Sequence, residues 1–194
     1  MDRSTRHWRI WNGLRMDRVG ADPDLASRVR EAALLEGDFL LSSGKKSRFY
    51  VDKYLFSTEP DLLRDLAREI SSRLPDGTQR LAGVELGAVP LVAATALHNG
   101  ISYGIVRKSA KGYGTDNRIE GHPIEAGEKV ALVEDVVTTG TQVLKAAAAL
   151  EEAGAEVVGI VAVLDRRDEG SDVLGGYPFE TVLRMEDLGV KVWD

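Results

Sequence analysis

Val130-Ala131-Leu132-Val133-Glu134-Asp135-Val136-Val137-Thr138-Thr139-Gly140-Thr141-Gln142 is the stretch on which the fold turns. Residues 130–133 form a short apolar run of the kind buried in a sheet. Two carboxylates, Glu134 and Asp135, stand at its end, and a turn of small and hydroxyl residues follows. Residues 143–153 then carry good helix formers, including Ala146 to Ala149 in a row, and Gly154 is placed to stop that helix. Strand, glycine-containing loop and helix together present backbone N–H groups and a helix N-terminus to an anion. No Gly-Lys-Ser/Thr closes the loop, which excludes a nucleoside-triphosphate P-loop. Carboxylates so near would repel a phosphate, so they suit a neutral diol or a metal-bound sugar one step away from it. An anion cradle beside diol acceptors describes a site for a ribose 5-phosphate. Taken without the surrounding order, such an acidic pair serves equally well as a solvated edge or a helix cap.

The chain has 194 residues, enough for one domain with a full core. Charged residues at 29% and hydrophobic residues at 43% are ordinary for a globular protein. A formal net charge of −6 argues against a nucleic-acid-binding surface. Without cysteine there is no disulfide framework, thiolate nucleophile or zinc cluster. No apolar run reaches the length of a membrane span, and no secretory h-region opens the chain. The expectation is a cytoplasmic protein that binds neither nucleic acid nor membrane.

Residues 1–20 form a basic lead with Trp8 and Trp11, expected to take no part in catalysis. It reads as an arm packed through its tryptophans, as a disordered tail, or as a segment upstream of a natural start at Met16. The domain proper is expected at 21–194. Pro23 opens a helix expected over 23–37, short strands are expected at 39–41 and 49–51, and a second helix at 61–74. Strand and helix then alternate: strand 81–86, helix 90–98, strand 101–106, strand 129–133, the alanine-rich helix, and strand 157–164. Apolar strands alternating with helices predict an α/β fold with a parallel sheet covered on both faces. Ligands collect at the C-terminal strand ends of such sheets, where every motif singled out here falls.

Arg107-Lys108-Ser109-Ala110-Lys111-Gly112-Tyr113-Gly114-Thr115 follows strand 101–106. Alone it is a solvated hairpin; beside a phosphate loop it reads as a mobile lid carrying positive charge over a leaving diphosphate. Asp165-Arg166-Arg167 ends strand 157–164 and reads either as a charged surface turn or as a ligand contact.

The string at 130–142 resembles the ribose-donor signature of the type I phosphoribosyltransferases. The lid string with Ile119-Glu120-Gly121, and the turn Phe39-Leu40-Leu41-Ser42-Ser43-Gly44-Lys45-Lys46-Ser47-Arg48-Phe49-Tyr50-Val51-Asp52, resemble the orotate phosphoribosyltransferases in particular. The resemblance implies the type I phosphoribosyltransferase fold with a small N-terminal hood over the base. It implies transfer of ribose 5-phosphate from 5-phosphoribosyl 1-pyrophosphate (PRPP) to orotate, giving orotidine 5-monophosphate and pyrophosphate. It assigns the ribose hydroxyls to Glu134 and Asp135, and the 5-phosphate to the loop of Val136, Val137, Thr138, Thr139, Gly140, Thr141 and Gln142. Pyrophosphate falls to Arg107, Lys108 and Lys111, with Tyr113 also at the donor, and orotate to Thr138 and Arg166. The expected catalytic groups are Lys111, Arg107, Lys108 and Asp135. Magnesium is expected on donor oxygens with no direct protein ligand, and a homodimer with shared active sites is implied.

Three positions depart from the family pattern. Tyr113 stands where many members have histidine, and its pKa near 10 makes it a poor proton shuttle. Ser42 and Gly87 stand where some members have lysine. Pyrophosphate contacts are therefore expected from the backbone at Gly87 and Ala88, or from Lys45 and Lys46. Two other readings share the donor motif: a phosphoribosyltransferase for another base, and a regulator that binds the donor without turning it over.

Overall fold

The computed structural model describes residues 22–40, 46–109, 118–167 and 171–190. The lead at 1–20, the hood tip at 41–45, and Lys111 and Tyr113 of the lid string lie outside the described residues.

Helix α1 (Pro23–Ala33) opens under an Asp22 cap, whose carboxylate accepts the Asp24 N–H at 2.9 Å. The expectation that it runs to residue 37 is corrected. The chain passes at Leu34 directly into β1 (Leu34–Leu40), which pairs antiparallel with β2 (Lys46–Val51). Pairing with β2 satisfies the backbone there, and the register slips between Glu36 and Phe39, so Gly37 marks a bulge rather than a helix stop. The one-turn helix α2 (Lys53–Ser57) was not anticipated; Asp52 caps it at the Tyr54 N–H.

Helix α3 (Pro60–Ser72) buries Leu62, Leu66, Ala67 and Ile70 at helical spacing. From there the chain builds the sheet through β3 (Arg80–Val84), α4 (Ala88–Asn99), β4 (Ser102–Val106), β5 (Ile119–Glu120), β6 (Lys129–Val137), α5 (Thr141–Glu152) and β7 (Glu156–Asp165). A hairpin of β8 (Val173–Leu174) and β9 (Tyr177–Arg184) completes it. The seven strands lie in the order β5-β4-β3-β6-β7-β9-β8. The five inner strands are parallel and the two short edge strands antiparallel, as expected of a covered α/β sheet.

Strand periodicity divides the core. Ala131, Val133, Val161 and Val163 pack with Leu25, Phe56, Leu66 and Leu91 from the helices on one face. Val130, Leu132, Ile160 and Ala162 pack with Val143, Ala147 and Leu150 of α5 on the other. Strand β6 continues four residues past the expected end at 133, so Glu134 and Asp135 stand within a strand and not beyond it. They pair onward with β7, through Glu134 to Ala162 and Val137 to Asp165, and this pairing keeps the backbone extended.

Candidate active site

A cleft opens at the carboxyl ends of β3 and β6, lined by Glu134 to Val143 together with Lys53, Val84, Glu85 and Lys108. Every residue of the string 134–142 thus meets in one place. Successive strand residues face opposite sides, so the two acids have different neighbours. Asp135, only 2% exposed, lies 2.7 Å through Oδ2 from Nζ of Lys53 and accepts the Val136 N–H at Oδ1, 2.6 Å away. Burial pulls the Lys53 ammonium down, but its hydrogen bond to Asp135 and the charge there outweigh that and leave it above the ordinary lysine value. Glu134 accepts the Asp135 N–H at Oε1, and its buried Oε2 has no partner. Burial first, and the Asp135 charge second, hold the Glu134 carboxyl well above the usual carboxylate range.

The loop after β6 is shaped for an anion. Gly140 adopts φ 76°, a left-handed conformation that favours glycine, and leads into α5, whose first turn carries no side-chain cap. Thr138 and Thr139 are exposed, and the hydroxyls of Thr139 and Thr141 lie 2.9 Å apart. The N-terminal N–H groups and these paired hydroxyls, at the positive end of a twelve-residue helix, can donate to a phosphate.

The lid string leaves the sheet beside this loop. The Arg107 N–H donates to the Arg118 carbonyl at 2.8 Å, closing the root of the hairpin. The Arg107 guanidinium lies 3.4 Å from Glu120 and 4.0 Å from Glu85. Lys108 is exposed, and its N–H donates to Glu85 at 2.7 Å. Of the basic residues weighed for pyrophosphate, Lys46 stands in the hood beside Asp38 to Leu40, away from the cleft lining. Gly87 and Ala88 open α4, where again no side chain caps the helix.

At the end of β7 the three charged residues part company. Asp165 is fully buried and held by Arg167, whose Nε and Nη2 reach its two oxygens at 2.9 Å each while the guanidinium stacks over Phe179 at 4.4 Å. Arg166 is tied by its own N–H to the Val137 carbonyl at 2.8 Å, and its buried Nε has no partner. Burial lowers its pKa, and Tyr50 of the hood partly offsets this. Among the described residues Arg166 makes no ion pair.

Sequence reasoning missed Lys53 and Glu85. A lysine in the first turn of a helix opposes the helix dipole. That placement is the one signal in the chain that an outside carboxylate recruits Lys53.

Comparison with known proteins agrees with this geometry. A phosphoribosyl transferase domain model matches residues 58–178. Orotate phosphoribosyltransferases from Methanocella arvoryzae and Halobacterium salinarum are 45% and 46% identical, over 88% and 84% of this chain and 91% and 92% of theirs. A crystal structure of the Mycobacterium tuberculosis orotate phosphoribosyltransferase superposes with a TM-score of 0.72 at 34% identity, covering 87% of this chain and 98% of that one. The same enzyme in complex with PRPP gives 0.68 at 31% identity, with the same coverage. On these matches, the chain belongs to the type I phosphoribosyltransferase family, in its orotate phosphoribosyltransferase branch.

Proposed function

We propose that the protein transfers ribose 5-phosphate from PRPP to orotate, forming orotidine 5-monophosphate and pyrophosphate. One observation carries the choice of acceptor: Arg166 is half-buried, has no acidic partner among the described residues, and lies at the strand end that meets the loop after β6. A planar guanidinium in that state suits the carboxylate and carbonyl oxygens of a pyrimidine acid. Thr138 adds a hydroxyl from the exposed turn.

In this reading Asp135 and Glu134 accept from the ribose hydroxyls, while Val136 to Gln142 hold the 5-phosphate with Thr139 and Thr141 donating. Arg107 and Lys108, with Lys111 and Tyr113 from the lid string, face the diphosphate together with the backbone N–H groups of Gly87 and Ala88. The bond from the anomeric carbon to the diphosphate breaks, its electron pair leaves with the diphosphate, and the orotate ring nitrogen bonds to the carbon as its proton leaves to solvent. No covalent nucleophile takes part, so the protein acts by positioning and by stabilising the departing charge.

Magnesium belongs to the same proposal. Among the described residues no three acids or histidines gather as a metal cluster. The cleft instead offers separate acidic side chains, Glu85 and Asp135 among them, which suit the waters of an ion carried on the donor's own oxygens. Bound there, magnesium would offset part of the diphosphate charge. A cytoplasmic homodimer, with each lid serving its neighbour's site, completes the proposal; residues 21–194 form the catalytic domain and 1–20 an appendage outside it. The test of the acceptor is Arg166→Ala. The orotate KM should rise by about tenfold or more while the PRPP KM changes little, since a hydrogen bond to a charged group contributes about 1.5–3 kcal/mol. Equal changes in both constants, or none, would return Arg166 to a surface turn.

A further inference from the structure

We propose that Lys53 is a diphosphate-binding residue that waits on Asp135 in the free enzyme. The inference rests on the donor reading above and extends it to a residue outside the loop, the lid and the end of β7. Lys53 enters from α2, on the face of the sheet opposite α5, and its side chain remains 32% exposed at the cleft wall. Asp135 spends Oδ1 on the Val136 N–H, so Oδ2 is the oxygen left for a ribose hydroxyl, and Lys53 sits on it at 2.7 Å. A hydroxyl arriving there competes with one donor of an ammonium that has three.

Room for the displaced ammonium lies next to it. A Cβ on Gly87 would overlap the Asp135 carboxylate and stand 3.0 Å from Cε of Lys53, so the missing side chain at 87 is what lets the pair form. Gly87 also begins the uncapped N-terminus of the twelve-residue helix α4. The Lys53 side chain therefore runs past the opening of α4 on its way to the cleft wall, where its ammonium is the part an anion in the cleft can meet. Among the described residues Lys53 and Lys108 are the cations lining the cleft, so an anion there has these two ammonium groups to draw on. Lys53 stands on α2 at the cleft wall itself.

The test is calorimetric titration of magnesium pyrophosphate into the full-length wild type, Lys53→Met, Lys53→Arg, Asp135→Asn and the Lys53→Met/Asp135→Asn double variant. Lys53→Met should weaken binding about tenfold, the ordinary cost of a lost charged hydrogen bond, and Lys53→Arg should recover most of it. The same tenfold step should appear between Asp135→Asn and the double variant. Since no carboxylate is orphaned in that background, that pair decides the matter even if Lys53→Met alone fails to fold. A step that vanishes once Asp135 is neutral, or no step at all, overturns the proposal; the first outcome makes Lys53 a clamp acting only through Asp135. A wild type that binds no pyrophosphate also overturns it. A wild type that binds pyrophosphate with the expected variant pattern but consumes no orotate would sink the acceptor assignment and leave Lys53 where it stands.

Discussion

Glu134 and Asp135 share a strand end but not a chemistry. Asp135 has a cation at 2.7 Å and a backbone donor, so its charge is compensated inside the fold. Glu134 is almost as buried and has an oxygen without a partner, so burial favours its protonated form. The consequence for stability has a definite sign. A carboxyl whose folded pKa is raised binds its proton more tightly in the folded state. Its contribution is complete below the ordinary glutamate value of about 4.3 and is lost as pH rises through the raised folded value. Glu134→Gln, neutral throughout, should melt like the wild type in acid and increasingly above it as pH rises into the neutral range. Thermal melts of both proteins from acid to mildly alkaline pH check this; a gap that is constant, or that reverses, contradicts the assignment. The sequence shows two adjacent acids but not this difference, because the partner of one, Lys53, lies 82 positions away and on another element.

At the scale of elements, the donor loop depends on a backbone conformation as much as on its side chains. Gly140 holds φ 76° at the turn into α5, and a Cβ there would stand 2.7 Å from a Leu174 methyl. A left-handed conformation costs an ordinary residue about 1–2 kcal/mol. Gly140→Ala should therefore lower the unfolding free energy by that order, read as a lower urea midpoint, and also weaken PRPP binding, since the turn that aims the α5 N–H groups must shift. Wild-type stability with unaltered PRPP affinity would show that the loop tolerates a side chain and does not set the anion site. Elements of this kind were legible where residue chemistry is local: Asp22-Pro23 opening α1, Gly154 ending α5, and the apolar period of α3. The rest depended on partners distant in sequence. Helix α1 stops at Ala33 because residues 34–40 find hydrogen bonds on β2, and β6 runs on to Val137 because β7 pairs with it. Strand β9 went unread for the same reason: its place beside β7 is decided by long-range pairing.

For the whole molecule, the proposal includes a homodimer in which each lid string, with its Lys111, serves the neighbour's site. Lys111→Ala and Asp135→Asn chains should each be nearly inactive alone and recover activity on mixing, as a heterodimer can hold one site with both an intact lid and an intact ribose pocket. Subunit exchange without recovery would mean that each lid serves its own subunit. The parallel sheet and the loop-lined cleft at its edge were readable from 130–142 because strand, loop and helix are consecutive there; the cleft wall supplied by Lys53 of α2 was not, since only the fold brings Lys53 to Asp135 and Gly87. The central claim is met most directly by following the ultraviolet absorbance of orotate in the presence of the protein. Orotate should disappear only when both PRPP and magnesium are present, with one pyrophosphate released for each orotate consumed. Persistence of orotate under those conditions, while another base is converted to its nucleotide, would contradict the account.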